Sequence, residues 1–372
     1  MMSKGQKERR NVILCCMIWA MFGVINLALY YNTPEPKVFW NDKRLADVAI
    51  DRKQQVGVQD FCKALALDYT LDGNKLVVGG EAAQVIQLGD LSPALNYSTN
   101  TAVSRVPLAA LCQALGIPYA WDEGQQIIRL GEGVPEAQSV PVLMYHHILP
   151  QSEIKGIFDH NNIVVSLEDF RAQMAYLRDN GYHTVSLQRL ERYVAGEELL
   201  PEKSVVITFD DGYLSNYVYA YPILKEMGFT GVIFLLTSYV EETPQTFSPT
   251  ALQYLSWPEV HQMEDVFQFA SHTHDMHRLG NSGKGVLAES GVNELIADLS
   301  ASRQLLRHTP YFSFPYGHYS KLALDTFRGQ GITMAFTVNE VSVKMGDDPM
   351  LLGRWDVVRH SSLDKFQTIL AP

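Results

Sequence analysis

The sequence predicts an α/β protein in which a parallel-sheet domain follows a small α+β repeat domain and one transmembrane helix. Three observations predict it: a β-branched run ending in the paired carboxylates Asp210 and Asp211, two segments that align at an offset of 50 residues, and an uncharged run near the N-terminus.

The N-terminal element is the uncharged run. Lys4, Lys7, Arg9 and Arg10, in a basic tail over residues 1–11, precede Val12 to Tyr31, where Asn26 is the one strongly polar side chain. Helical residues at ~1.5 Å each let this run cover the roughly 30 Å hydrocarbon core of a bilayer. The basic flank stays cytoplasmic, so the remainder is expected outside the cell membrane. A cleaved signal peptide is the alternative. Against it, the run exceeds the usual ~7 to 15 apolar residues and no small-x-small site closes it. Leu14, ahead of Cys15 and Cys16, stands where a lipobox needs a small residue. Residues 32–39, with Pro34 and Pro36, read as an extended spacer.

Residues 40–131 carry the repeat. Phe61 to Asp72 aligns with Leu111 to Asp122, and each copy reads as a short amphipathic helix, a turn and a strand. Cys62 and Cys112 take equivalent helix positions, as buried small hydrophobes or as a disulfide in an oxidising exterior. The segment contains no histidine, so no metal is assigned to it. Residues 132–141 read as a linker to the larger domain, 142–368.

In that domain, Val205-Val206-Ile207-Thr208-Phe209 reads as a strand buried on both faces, and parallel strands carry ligand-binding residues at their carboxyl ends. Asp210 and Asp211 follow at once. Adjacent carboxylates repel, so a cation or a shared proton is expected there. A second strand-like run, Val266 to Ala270, leads into Ser271-His272-Thr273-His274-Asp275-Met276-His277. Positions five apart on a helix do not share a face, so this cluster fits a strand end turning into a loop. Two imidazoles and one carboxylate leave open metal positions for water and substrate. A third short strand ends in Phe314-Pro315-Tyr316-Gly317. Its backbone N–H groups are candidates for oxyanion binding at the same rim.

Together these stretches resemble the polysaccharide deacetylases of carbohydrate esterase family 4, the NodB-homology fold, over about residues 138 to 368. Val140 to His147 resembles the first strand, and Ser166 to Leu177 followed by Asn180-Gly181-Tyr182 the first helix and its exit. The resemblance implies a distorted parallel (β/α) barrel, a divalent metal, most often Zn2+, and removal of acetyl groups from glycans. It also implies Asp210 as general base, Asp211 with His272 and His277 as metal ligands, and the Tyr316 N–H as oxyanion donor. His146 is the implied catalytic acid, with His147 and His360 as alternatives.

Most members space the two histidines four apart. Here Met276 occupies that position, which leaves His277 as the partner and His274 as a rival. The longer spacing resembles the branch acting on poly-β-1,6-N-acetylglucosamine. Ser313-Phe314 stands where an Arg usually precedes the motif proline, and Arg354 is the candidate replacement. The repeat segment resembles the copper amine oxidase N-terminal-like domain, a stalk module.

The expected partner is therefore an acetylated polysaccharide, biofilm glycan or peptidoglycan, met by an enzyme anchored through its N-terminal helix. An O-acetyl glycan esterase and a catalytically inactive glycan-binding module are the alternatives. Nucleic acid is excluded: the chain carries a net charge of −11 and has no basic patch for phosphates. With 372 residues and 47% hydrophobic content it can bury two cores.

Overall fold

In the computed structural model the described residues are 36–371, apart from 42, 52–53, 80–82, 92–104, 123–126 and 132–136. The expected membrane span at 12–31 lies outside them. Among the described residues no helix is long and apolar enough to cross a membrane. The chain divides into two units, 1–132 and 133–372.

The first unit contains β1 (Lys37–Trp40), β2 (Lys43–Arg44), β3 (Gln55–Gly57), β4 (Tyr69–Asp72), β5 (Lys75–Val78), β6 (Gln84–Gln87), β7 (Arg105–Pro107), β8 (Tyr119–Asp122) and β9 (Ile127–Leu130). The repeat is visible as two strand–helix–hairpin runs, with helices Val58–Ala64 and Leu108–Leu115. The runs meet where β3 pairs antiparallel with β7, Val56 opposite Val106. Both helices leave by the same turn, Leu67 N–H to Cys62 O and Ile117 N–H to Cys112 O, each 2.9 Å. Cys62 and Cys112 are free thiols buried in one apolar core. Burial pushes them up to about 11 and about 12. They are packed as small hydrophobes, and the disulfide is not formed.

The second unit contains β10 (Val142–Tyr145), β11 (His147–Leu149), β12 (Val164–Ser166), β13 (His183–Thr184), β14 (Ser204–Phe209), β15 (Gly231–Leu235), β16 (Phe267–Ser271), β17 (Tyr311–Ser313), β18 (Met334–Phe336) and β19 (Trp355–Asp356). Its main sheet is a parallel half-barrel, ordered β18-β17-β16-β15-β14-β10-β19, with β13 also on β14. All six residues of β14 are buried, as its unbroken Val/Ile/Thr/Phe run requires. Helix Leu167–Asp179 starts where the Ser166 side chain accepts the Asp169 N–H, a cap worth ~1 kcal/mol. It then buries Phe170, Met174 and Leu177 on one stripe. Ala137 and Val140, in the stretch expected as linker, are buried in this unit's core.

Parallel register positions the site. Tyr145 lies opposite Phe209, Leu235 opposite Ser271, and Ser271 opposite Phe312. The chain therefore leaves β10, β14, β16 and β17 at one rim, and His146, Asp210, Asp211, His272 and Phe314 follow directly.

Candidate active site

Three of the four rim turns, those after β14, β16 and β17, hold a non-glycine residue in the left-handed region: Asp211 at φ 72°, Thr273 at 87° and Tyr316 at 58°. Such conformations cost of order 1–3 kcal/mol each and persist where the surroundings impose them. Gly212 follows Asp211 at φ 76°, and an added Cβ there would sit 2.5 Å from Leu235 Cδ2. Only glycine lets the chain turn this tightly beneath the carboxylates.

The turns bring together Asp211, His272 and His277, whose ligand atoms all lie within 4.8 Å of one another. Asp211 Oδ1 is 3.6 Å from His272 Nε2 and 3.4 Å from His277 Nε2. A tetrahedral centre with bonds of about 2.1 Å sets its donors roughly 3.4 Å apart, so these separations suit zinc. Asp211 Oδ1 is buried and accepts no hydrogen bond among the described residues. His272 Nδ1 donates to Ser313 O at 2.8 Å, which leaves the Nε2 lone pair facing the cluster, the arrangement of a metal-bound imidazole. Burial lowers His272 to about 4, against the pull of Asp210. The hydroxyl of Tyr316 lies 3.3 Å from His277 Nδ1. His274 stands apart: its Nδ1 meets Thr237 Oγ1 at 3.0 Å.

Asp210 is held differently. Arg354, fully buried, donates to both its oxygens at 2.7 Å and to Ser313 Oγ at 2.8 Å. Burial pushes the Asp210 carboxyl up, but the Arg354 charge, then His272 and the Arg354 hydrogen bonds, outweigh it and hold the group well below the usual carboxylate range. Arg354, the candidate replacement for the motif arginine that Ser313-Phe314 lacks, is thus paired directly with Asp210. Asp210 Oδ2 is 3.9 Å from His272 Nε2, so the ionised base candidate borders the metal candidates.

His146 sits between β10 and β11 with its Nδ1 buried and unbonded among the described residues. It lies close enough to Asp210 and to Asp356 of β19 to influence both carboxyls electrostatically. Burial pushes the Asp356 carboxyl up, with His146 opposing. The sequence reading missed Asp356. Its only signal in the sequence is the short apolar run that begins at Trp355. His147 is buried, its Nδ1 2.5 Å from Ser215 Oγ, and burial first, then His146, lower it to about 4. His360 is exposed on the turn after β19.

Chemically, the rim offers a candidate cation site, an ionised carboxylate beside it, an imidazole at the end of the neighbouring strand β10, and a strained Pro315–Gly317 turn. Residues 198–335 match the polysaccharide deacetylase family. A poly-β-1,6-N-acetyl-D-glucosamine N-deacetylase of Staphylococcus aureus (strain MRSA252) is 28% identical over 273 residues, 64% of this chain and 92% of that protein. YxkH of Bacillus subtilis is 28% identical over 200 residues, 53% of this chain. That match spans 64% of the length of YxkH, under two thirds. The solved structure of IcaB from Ammonifex degensii superposes with a TM-score of 0.54 at 28% identity, covering 64% of this chain and 100% of that one.

Proposed function

From the premise that its second unit is a polysaccharide deacetylase domain, we propose that this protein removes N-acetyl groups from a poly-N-acetylglucosamine-type glycan at the cell surface. The observation that carries the reading is the pairing of an Asp-His-His cluster with an Asp210 clamped by Arg354. Relatives named for poly-β-1,6-N-acetylglucosamine deacetylation support the substrate class. The uncharged run at 12–31 behind a basic tail supports the location.

Asp211, His272 and His277 would hold the divalent cation, zinc by donor set, which when bound supplies Lewis-acid activation of water and of the acetyl carbonyl. The chain's own residues do the rest. Asp210, ionised at neutral pH, accepts the proton of the attacking water, and Arg354 fixes the direction of that carboxylate. The left-handed turn at Tyr316 presents its N–H to the developing oxyanion. His146 delivers a proton to the departing nitrogen, and Asp356 offers a charge to orient it. His147 takes no part in proton transfer, because its ring is buried against Ser215.

The test is acetate release by the full chain from matched N-acetylated and O-acetylated glycan oligomers. Release from N-acetylglucosamine oligomers is expected. Release from O-acetylated xylan alone would replace the reading with an esterase, and glycan binding without release would make the chain a binding module.

A further inference from the structure

A ladder of aromatic rings runs from the core to the rim beside the cluster. His147 meets Phe158 edge-on at 4.7 Å and stacks on Tyr213 at 5.0 Å. Tyr213 stacks on Tyr254 at 5.4 Å, and Tyr254 packs on Tyr239 at 4.8 Å. His147, Phe158 and Tyr213 are buried and Tyr254 is half-buried, but Tyr239 is 42% exposed.

The ladder is tied to the backbone of the site. Leu214 N–H donates to Gln253 O and Leu255 N–H to Gly212 O, on either side of the Tyr213–Tyr254 bridge, so Tyr254 is laced to the turn of Asp211. Thr237 N–H donates to Thr273 O and Ser238 N–H to His274 O, which ties the loop of Tyr239 to the turn after His272. Tyr239 N–H closes the loop on Leu236 O at 2.9 Å. Tyr316, 39% exposed, packs on His277 at 4.5 Å on the neighbouring turn of the cluster.

A lone exposed ring on a mobile loop would need no explanation. An exposed ring that ends a rigid stack, on loops bonded to two turns of the cluster, is a pre-formed apolar platform. Pyranoses present such a platform with one face of C–H groups while their hydroxyls stay in water. We propose that Tyr239, backed by Tyr254, is a sugar-stacking residue, forming a subsite that takes a pyranose ring of the glycan next to the Asp211, His272 and His277 cluster. The subsite rests on the deacetylase reading of that cluster and deepens it: it explains how a polymer, rather than an isolated acetyl group, is held for reaction.

The experiment compares full-length wild type, Tyr239→Phe and Tyr239→Ala. Binding of an N-acetylglucosamine oligomer is measured by calorimetry, and acetate release is measured from that oligomer and from an aryl acetate. Tyr239→Ala should raise Kd and KM for the oligomer roughly tenfold and lower the oligomer-to-aryl-acetate selectivity by the same factor, whereas Tyr239→Phe stays within about twofold of wild type. Unchanged oligomer Kd and KM in Tyr239→Ala, or equal losses on both substrates, would overturn the subsite. Wild type that binds the oligomer without releasing acetate would overturn the deacetylase reading instead, and the calorimetry would still decide the subsite.

Discussion

Arg354→Met keeps much of the side chain's length but removes the guanidinium. Arg354 is fully buried and gives Asp210 two hydrogen bonds of 2.7 Å, with further bonds to Ser313 Oγ and Thr337 O. Breaking a buried pair by removing one partner costs about 3–5 kcal/mol, because the other charge is left uncompensated. The sign of the pH dependence should also reverse. In wild type the Asp210 carboxyl is held low, so its stabilisation is present above the unfolded carboxylate pKa and is lost as pH falls below it. Without Arg354, burial alone raises the group, and the variant should gain stability as pH falls from 7 toward 5. Urea unfolding at both pH values, with acetate release, reads the outcome: a loss of about 3–5 kcal/mol at pH 7 and of about 10² to 10⁴ in rate. Adding Asp210→Asn to Arg354→Met removes the stranded charge and should restore much of the stability but none of the activity. A double variant no more stable than Arg354→Met would refute the reasoning, because the cost would then lie in packing around Phe234 and Phe336 rather than in the charge.

The remaining predictions concern the imidazoles. His272→Ala and His277→Ala should lose bound metal and activity, whereas His274→Ala should retain metal by elemental analysis, since its ring faces Thr237. His146→Ala should cripple hydrolysis of an N-acetylglucosamine oligomer more than that of an aryl acetate, whose leaving group needs no acid, with metal content unchanged; equal losses on the two substrates would remove it as the acid. Burial lowers His147 from its ordinary 6.5 to about 4, so its contribution is complete above 6.5 and is lost as pH falls toward 4, at most about 3 kcal/mol. Stability measured across that range should depend less on pH in His147→Gln.

The rim was legible because its signals are local. Val205 to Phe209 could only be a buried strand, the carboxylates had to follow its end, and His272 with His277 could share a site only in a loop. The offset of 50 likewise survived as Val56 opposite Val106. Arg354 and Asp356 were harder to read, because their partners lie more than 140 residues away for Asp210 and across the β10–β19 pairing for His146. No spacing rule reaches across a half-barrel. Tyr239 gave no signal at all, since an isolated tyrosine acquires meaning only when Tyr254 is laced against Gly212 and Leu214. Nor does the sequence decide between a buried thiol and a disulfide at Cys62 and Cys112. That depends on how two symmetric helices meet in one core.

The most direct measurement is acetate release from an N-acetylglucosamine oligomer by the full chain after chelation, and again after zinc is added back, alongside Asp211→Asn. Release that stops on chelation, returns with zinc and is absent from Asp211→Asn under both conditions is the predicted result. Undiminished release by the chelated chain, or by Asp211→Asn, would contradict metal-dependent deacetylation at this rim.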